Sequence, residues 1–179
     1  VHRVADLHLR GAAGRIRLRA RWPAPTDART APALLVLFHS GGSRLGQWLC
    51  AAAGVVVLAA SCPVAFQDAV TTTEWAADHA AELGADPARL LVAGEGAGGR
   101  LAAAVALHAR DHEWPPLTRQ VLIRPVLDTQ LLAESVAGAA PATLVAGRRY
   151  AARFRRAGVP VEEVRYPELA RALRKHLQP

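Results

Sequence analysis

Methionine is absent from all 179 residues, Lys175 is the only lysine, and aromatic side chains make up 5% of the chain. The missing methionines, the initiator included, fit either a strong coding bias or a sequence read in part. With lysine nearly absent, the net charge of +7 comes almost wholly from arginine. Alongside so much alanine, this reads as the composition of a GC-rich genome and not as a basic face built for a partner. Nucleic-acid binding calls for basic residues interleaved with aromatics, or for a recognisable motif, and neither is present. Long apolar runs are missing too, because Arg, Pro or Gly interrupts each one well before the length of a membrane span. No basic start leads into an apolar stretch, so no secretory leader is read and a cytoplasmic location is expected. Two cysteines, Cys50 and Cys62, sit in apolar surroundings without metal-ligand spacing. They read as buried thiols, and neither metal nor cofactor is expected.

What is there is a chain 51% apolar and long enough for one domain, expected to span residues 1–179. From Arg15 to Trp22 the sequence "RIRLRARW" alternates strictly. Arginines face one side and Ile16, Leu18, Ala20 and Trp22 the other, which predicts a half-buried strand near a sheet edge. A proline-rich connector follows. Then come short continuous apolar runs, "ALLVLF", "GVVVLAA", "RLLVA", "QVLIRP" and "ATLVA", the mark of strands covered on both faces. Between them lie helical patterns over 66–83 with Gly84 as C-cap, over 97–110, and over "RRYAARFRRAG" with Gly158 as the stop. Alternating strand and helix predicts an α/β fold with a mostly parallel sheet and helices on both faces.

The stretch "LLVAGEGAGGR" (residues 90–100) carries the chemical question. An apolar run ends in a glycine-rich turn and passes at once into a helix, the layout of a nucleophile elbow. Its apex is Gly96.

Four stretches resemble the α/β-hydrolases, specifically the hormone-sensitive-lipase-like carboxylesterases. "LLVLFHSGG" is similar to that family's strand and H-G-G-G oxyanion loop. "GADPARLLVAGEGAGGRLAAAVAL" resembles its turn, strand, G-[DE]-S-A-G-G elbow and helix. "QVLIRPVLD" looks like the next strand, and "YAARFRRAGVPVEEVRYPE" like the last helix and strand before the catalytic histidine. The resemblance implies the α/β-hydrolase fold. It also implies where a triad would fall: the nucleophile on Gly96, the histidine on Arg171 by counting along "RYPELAR", and the acid in a loop after "ATLVA" that this chain omits. Loss of the nucleophile alone lowers kcat by roughly 10⁶ in a serine protease, so ordinary serine hydrolysis is not expected. The family's cap is largely missing as well, since "PVLD" runs to "APATLVA" in about a dozen residues by direct reading.

What the resemblance leaves in place is the oxyanion machinery. His39, Ser40, Gly41 and Gly42 keep the loop, with Ser40 replacing a glycine, and Ala97 stands where the second donor resides, at a helix N-terminus that favours negative charge. Glu95 and Gly96 complete the candidate ligand-binding set. The same glycines are equally what tight turns need. Three readings follow. In the first, the pocket binds a small carbonyl or carboxylate compound, with non-hydrolytic chemistry such as isomerisation, epimerisation or cyclisation. In the second, the chain is a pseudoenzyme whose uncapped apolar surface takes a protein partner or a second copy. In the third, a carboxylesterase works through a relocated nucleophile, with Ser40, Ser43, Ser61 and Cys62 as candidates and His176 as a base brought in by a displaced tail.

Overall fold

The computed structural model describes residues 3–12, 14–25, 30–40, 44–126, 136–146 and 148–177. Eight strands form one sheet: β1 Arg3–Gly11, β2 Gly14–Trp22, β3 Ala33–His39, β4 Val56–Ser61, β5 Asp86–Glu95, β6 Leu117–Ile123, β7 Ala142–Val145 and β8 Val161–Val164. Their order across the sheet is β1-β2-β4-β3-β5-β6-β7-β8. β2 lies antiparallel to both β1 and β4, and β4, β3 and β5 to β8 run parallel.

Each parallel strand is apolar on both sides because helices cover both. Leu34, Val36 and Phe38 face one core while Leu35 and Leu37, one residue out of phase, face the other. The first core is closed by α2 Phe66–Asp78, α3 Ala97–Asp111 and α4 Arg148–Arg156, and the second by α1 Arg44–Ala53 and α5 Leu169–Leu177. In α4, Tyr150 and Phe154 pack on the first core as their i,i+4 spacing predicts. Helix α2 stops at Asp78, short of the expected end. Its last turn is closed by His79, whose ring stacks on Trp75 at 4.4 Å, and hydrogen-bonded turns carry the chain on to Gly84 at φ +70°.

Three elements were not read from the sequence. β1 pairs along its whole length with β2, which makes β2 the second strand and not the edge. Helix α1 occupies the shortened segment after β3, and Arg171 lies within α5. No helix among the described residues is long and apolar enough to cross a membrane.

Candidate functional site

β5 ends at Glu95 and α3 begins at Ala97, so the whole reversal falls on Gly96. Its backbone sits at φ 58°, ψ −118°, a region L side chains rarely adopt. The turn is pinned by the end of β6, by the segment after it and by the first turn of α3. The Gly96 N–H donates to the Ile123 carbonyl at 3.0 Å, and the Gly96 carbonyl accepts from Gly99 and Val126, each at 3.1 Å. The flanking glycines answer to packing. A Cβ on Gly94 would lie 2.0 Å from the Gly98 carbonyl oxygen, and one on Gly98 would lie 2.1 Å from that of Phe38. At Gly96 itself a Cβ would meet nothing within 4 Å. The apex is sterically open.

Glu95, half-buried, accepts a hydrogen bond from Nη2 of Arg124, the residue just past β6. Arg124 holds a left-handed backbone at φ 44°, and its N–H donates to Val145 at 2.9 Å. Beside this pair stands Tyr166, whose ring stacks on Trp48 of α1 at 5.3 Å. Burial, with the negative charge of Glu95 second, pushes the Tyr166 phenol up, while Arg124 opposes the shift. Arg124 and Tyr166 border an open cavity of ≈ 770 Å³ past the C-terminal ends of β6, β7 and β8. Such strand ends are where α/β sheets bind ligands. The cavity's own carboxylates are engaged elsewhere: Glu163 pairs with Arg155 at 2.8 Å, and Glu168 accepts from the Arg165 N–H at 3.3 Å.

The expected site residues separate into groups. Glu95, Gly96 and Ala97 are contiguous at the elbow, with Ala97 exposed as the first residue of α3. Helices leave their first N–H groups without an intrahelical partner, so an anion is favoured there. His39, buried, ends β3, and Ser40 follows it, exposed. Gly41, Gly42 and Ser43 lie outside the described residues. Arg171 is exposed on α5 and lines a separate groove with Lys175 and Glu162.

No described histidine lines the cavity bordered by Arg124 and Tyr166. His176 Nε2 is 2.6 Å from Glu162 on β8, which places it at the far edge of the sheet and not on a tail reaching the elbow. His108 and His112 stack on each other at 3.9 Å along α3. Cys62 donates its N–H to the His39 carbonyl at 2.7 Å, and burial pushes its thiol up despite a backbone hydrogen bond that works the other way. Sequence reading missed Arg124, Tyr166 and Trp48. The one available signal was a charge at the end of the apolar run "QVLIRP", where β6 must turn away.

A family model described as the alpha/beta hydrolase fold matches residues 49–146. The esterase LipI of Mycobacterium tuberculosis is 40% identical over 141 residues, which is 69% of this chain and 44% of that protein. The ethyl acetate hydrolase of Pseudomonas putida is 32% identical over 152 residues, covering 74% of this chain and 48% of its own. The chain thus spans less than half the length of either relative. Among solved structures, a thermostable carboxylesterase from a metagenomic library superposes with a TM-score of 0.86 at 23% identity, over 100% of this chain and 90% of that one. An esterase from Pyrobaculum calidifontis gives 0.82 at 23% identity, over 98% and 86%. The matched stretch contains the elbow, and the sheet around it carries the same fold: this chain belongs to the alpha/beta hydrolase fold family.

Proposed function

We propose that this chain is an esterase-like α/β-hydrolase relative that does not hydrolyse esters and uses its elbow to hold a small carbonyl or carboxylate compound. The observation that carries this reading is Gly96. The residue at the apex of the turn has no side chain, and a Cβ there would meet nothing within 4 Å among the described residues. Acyl transfer by the family's route needs a nucleophile at that point and a base within hydrogen-bond reach. Glu95, the nearest carboxylate in sequence, is committed to Arg124. What the elbow still offers is the N-terminus of α3 and, by the family resemblance, the backbone donors of residues 39–42. Such a site orients and polarises a carbonyl, which suffices for an isomerisation, epimerisation or cyclisation in which the substrate supplies its own base. The proposal takes the chain as a single shortened domain of the cytoplasm that works without a cofactor.

A second reading, a carboxylesterase with a relocated nucleophile, draws on the esterase relatives and on one juxtaposition. His39 and Ser61 are register partners on adjacent parallel strands and border one cavity. In that reading Ser61 Oγ attacks the acyl carbon, His39 takes its proton and passes it to the alcohol as the ester C–O bond breaks, and water then releases the acyl group as the acid. Treatment with a fluorophosphonate probe, followed by peptide mapping, separates the two. The first reading expects no labelled serine and p-nitrophenyl acetate turnover at the level of a boiled control. Stoichiometric label on Ser61 replaces it with the second.

A further inference from the structure

The alternating arginines of β2 do not share one environment. Helix α1 covers the sheet as far as Arg21, where a Cβ on Gly46 would lie 3.6 Å from Arg21 Nη1. Arg21 is therefore 4% exposed, while Arg17 and Arg19, further along the same face, are exposed. Its Nη1 is buried with no hydrogen-bond partner among the described residues. The carboxylate on this face, Asp6 of β1, is taken by Arg19 in a two-pronged pair, Nε to Oδ1 at 2.7 Å and Nη2 to Oδ2 at 3.1 Å. Burial pulls the Arg21 guanidinium down from its ordinary range, and the like charge of Arg19 adds to the shift.

A buried cation with no hydrogen-bonded counter-ion is costly: Asp6 and Cys50 favour the Arg21 charge only through space, and Asp6 is already paired with Arg19. Space for a further counter-charge is present. An open cavity of ≈ 410 Å³ is bordered by Arg21, Arg19 and Arg17 on β2 and by His39 and Ser61 at the ends of β3 and β4. The strand register explains the room, since Arg19 faces Ala59, whose methyl group leaves the floor low. Three guanidinium groups border the cavity against the single carboxylate of Asp6. Its volume suits a small organic molecule. A guanidinium fork selects for paired oxygens, as on carboxylate or phosphate.

We propose that this cavity binds a small molecule carrying a carboxylate or phosphate group, held among the guanidinium groups of Arg17, Arg19 and Arg21 with its body toward His39 and Ser61. The site shares His39 with the donors proposed for the elbow, and His39 and Ser61 with the second reading above, while Arg17, Arg19 and Arg21 belong to neither.

The test uses sodium benzoate and phenyl phosphate as probes, in an otherwise chloride-only buffer, on the wild-type chain and on Arg21→Met and Arg17→Gln. Calorimetric titration should show binding to the wild type by at least one probe, and which one distinguishes carboxylate from phosphate. Affinity should fall by roughly tenfold or more in Arg21→Met, the loss expected when a charged hydrogen bond goes. In the absence of either probe Arg21→Met should unfold no lower than wild type, because it removes an uncompensated buried charge. Should Arg21→Met fail to fold, the Arg21 Nε–H resonance of the wild type must still shift on titration, and Arg17→Gln must weaken binding. Equal binding by wild type and Arg21→Met, an unmoved Nε–H signal, or no binding of either probe overturns the proposal.

Discussion

A Cβ placed on Gly98, one residue into the elbow helix, would stand 2.1 Å from the carbonyl oxygen of Phe38 on β3. Helix α3 thus rests its second residue directly on the neighbouring strand's backbone. Gly98 and Gly96 belong to one motif, yet they are glycine for different reasons. The first lacks room, and the second has room but an unusual backbone.

Gly98→Ala should therefore cost about 3 kcal/mol or more, since backbone must move to relieve the overlap. Gly96→Ala should cost only about 1–3 kcal/mol, the strain of its backbone region. Urea unfolding of both variants checks the order, and a costlier Gly96→Ala would contradict it.

Gly96→Ser should fold, with a comparable loss of stability, and should leave esterase turnover at background. His39, whose backbone lies against the elbow helix at Gly98, borders the cavity of Arg21 and Ser61 and not the one bordered by Arg124, and a new hydroxyl needs a base within hydrogen-bond reach. Turnover of p-nitrophenyl acetate is the readout, and a gain of about a hundredfold, the scale of one general base, would show a base already in place.

Asp86 carries a pH dependence whose sign is fixed by its partners. The Ala88 N–H donates to Oδ1 at 2.9 Å and Arg89 Nε to Oδ2 at 2.8 Å, and these hold the carboxyl below its ordinary value of 3.8. The folded state favours the ionised form, so the contribution is present above that value and is lost as pH falls through the folded one. Asp86→Asn should lower the unfolding temperature at neutral pH, and the gap from wild type should close in acid. A gap that widens on acidification would contradict the assignment.

Asp68 of α2 ties down the β1–β2 hairpin by accepting the Ala12 N–H at 2.8 Å. Asp68→Ala leaves that donor without its partner and should cost about 1–3 kcal/mol. Hydrogen exchange at the Ala12 amide should accelerate with it.

Both thiols should react slowly with Ellman's reagent in the folded chain. Burial raises Cys50 and Cys62 alike, and thiolate is the reactive form. Reaction at the rate of a free thiol would show that Cys62 is better activated than its surroundings imply.

The central strands and the elbow were legible because their signals are local: apolar runs too short for helices, and a glycine cluster between a strand and a helix. Helix α1 escaped because Gly46 interrupts its pattern, although Leu45, Leu49 and Ala53 mark a buried face. For α5, counting along "RYPELAR" only put the family's histidine position on Arg171, and the i,i+4 spacing of Leu169, Leu173 and Leu177 that marks the helix was not used. The pairing of Glu95 with Arg124 spans 29 positions and depends on β5 and β6 being neighbours, which no local pattern encodes. Arg21 was grouped with the other arginines of β2 for a similar reason. Strand alternation gives the face a side chain takes, whereas α1 decides how deeply Arg21 is buried.

The backbone of Gly96 makes the elbow a ratchet. At φ 58°, ψ −118° glycine is at ease and a residue with a Cβ is strained. A lineage that comes to carry glycine there gains fold stability in the same step that removes the hydroxyl. The way back begins with a loss of stability and returns no rate until a base and its orienting acid are also in place. At this one position the demands of a sturdy backbone and of a side chain at the apex run in opposite directions.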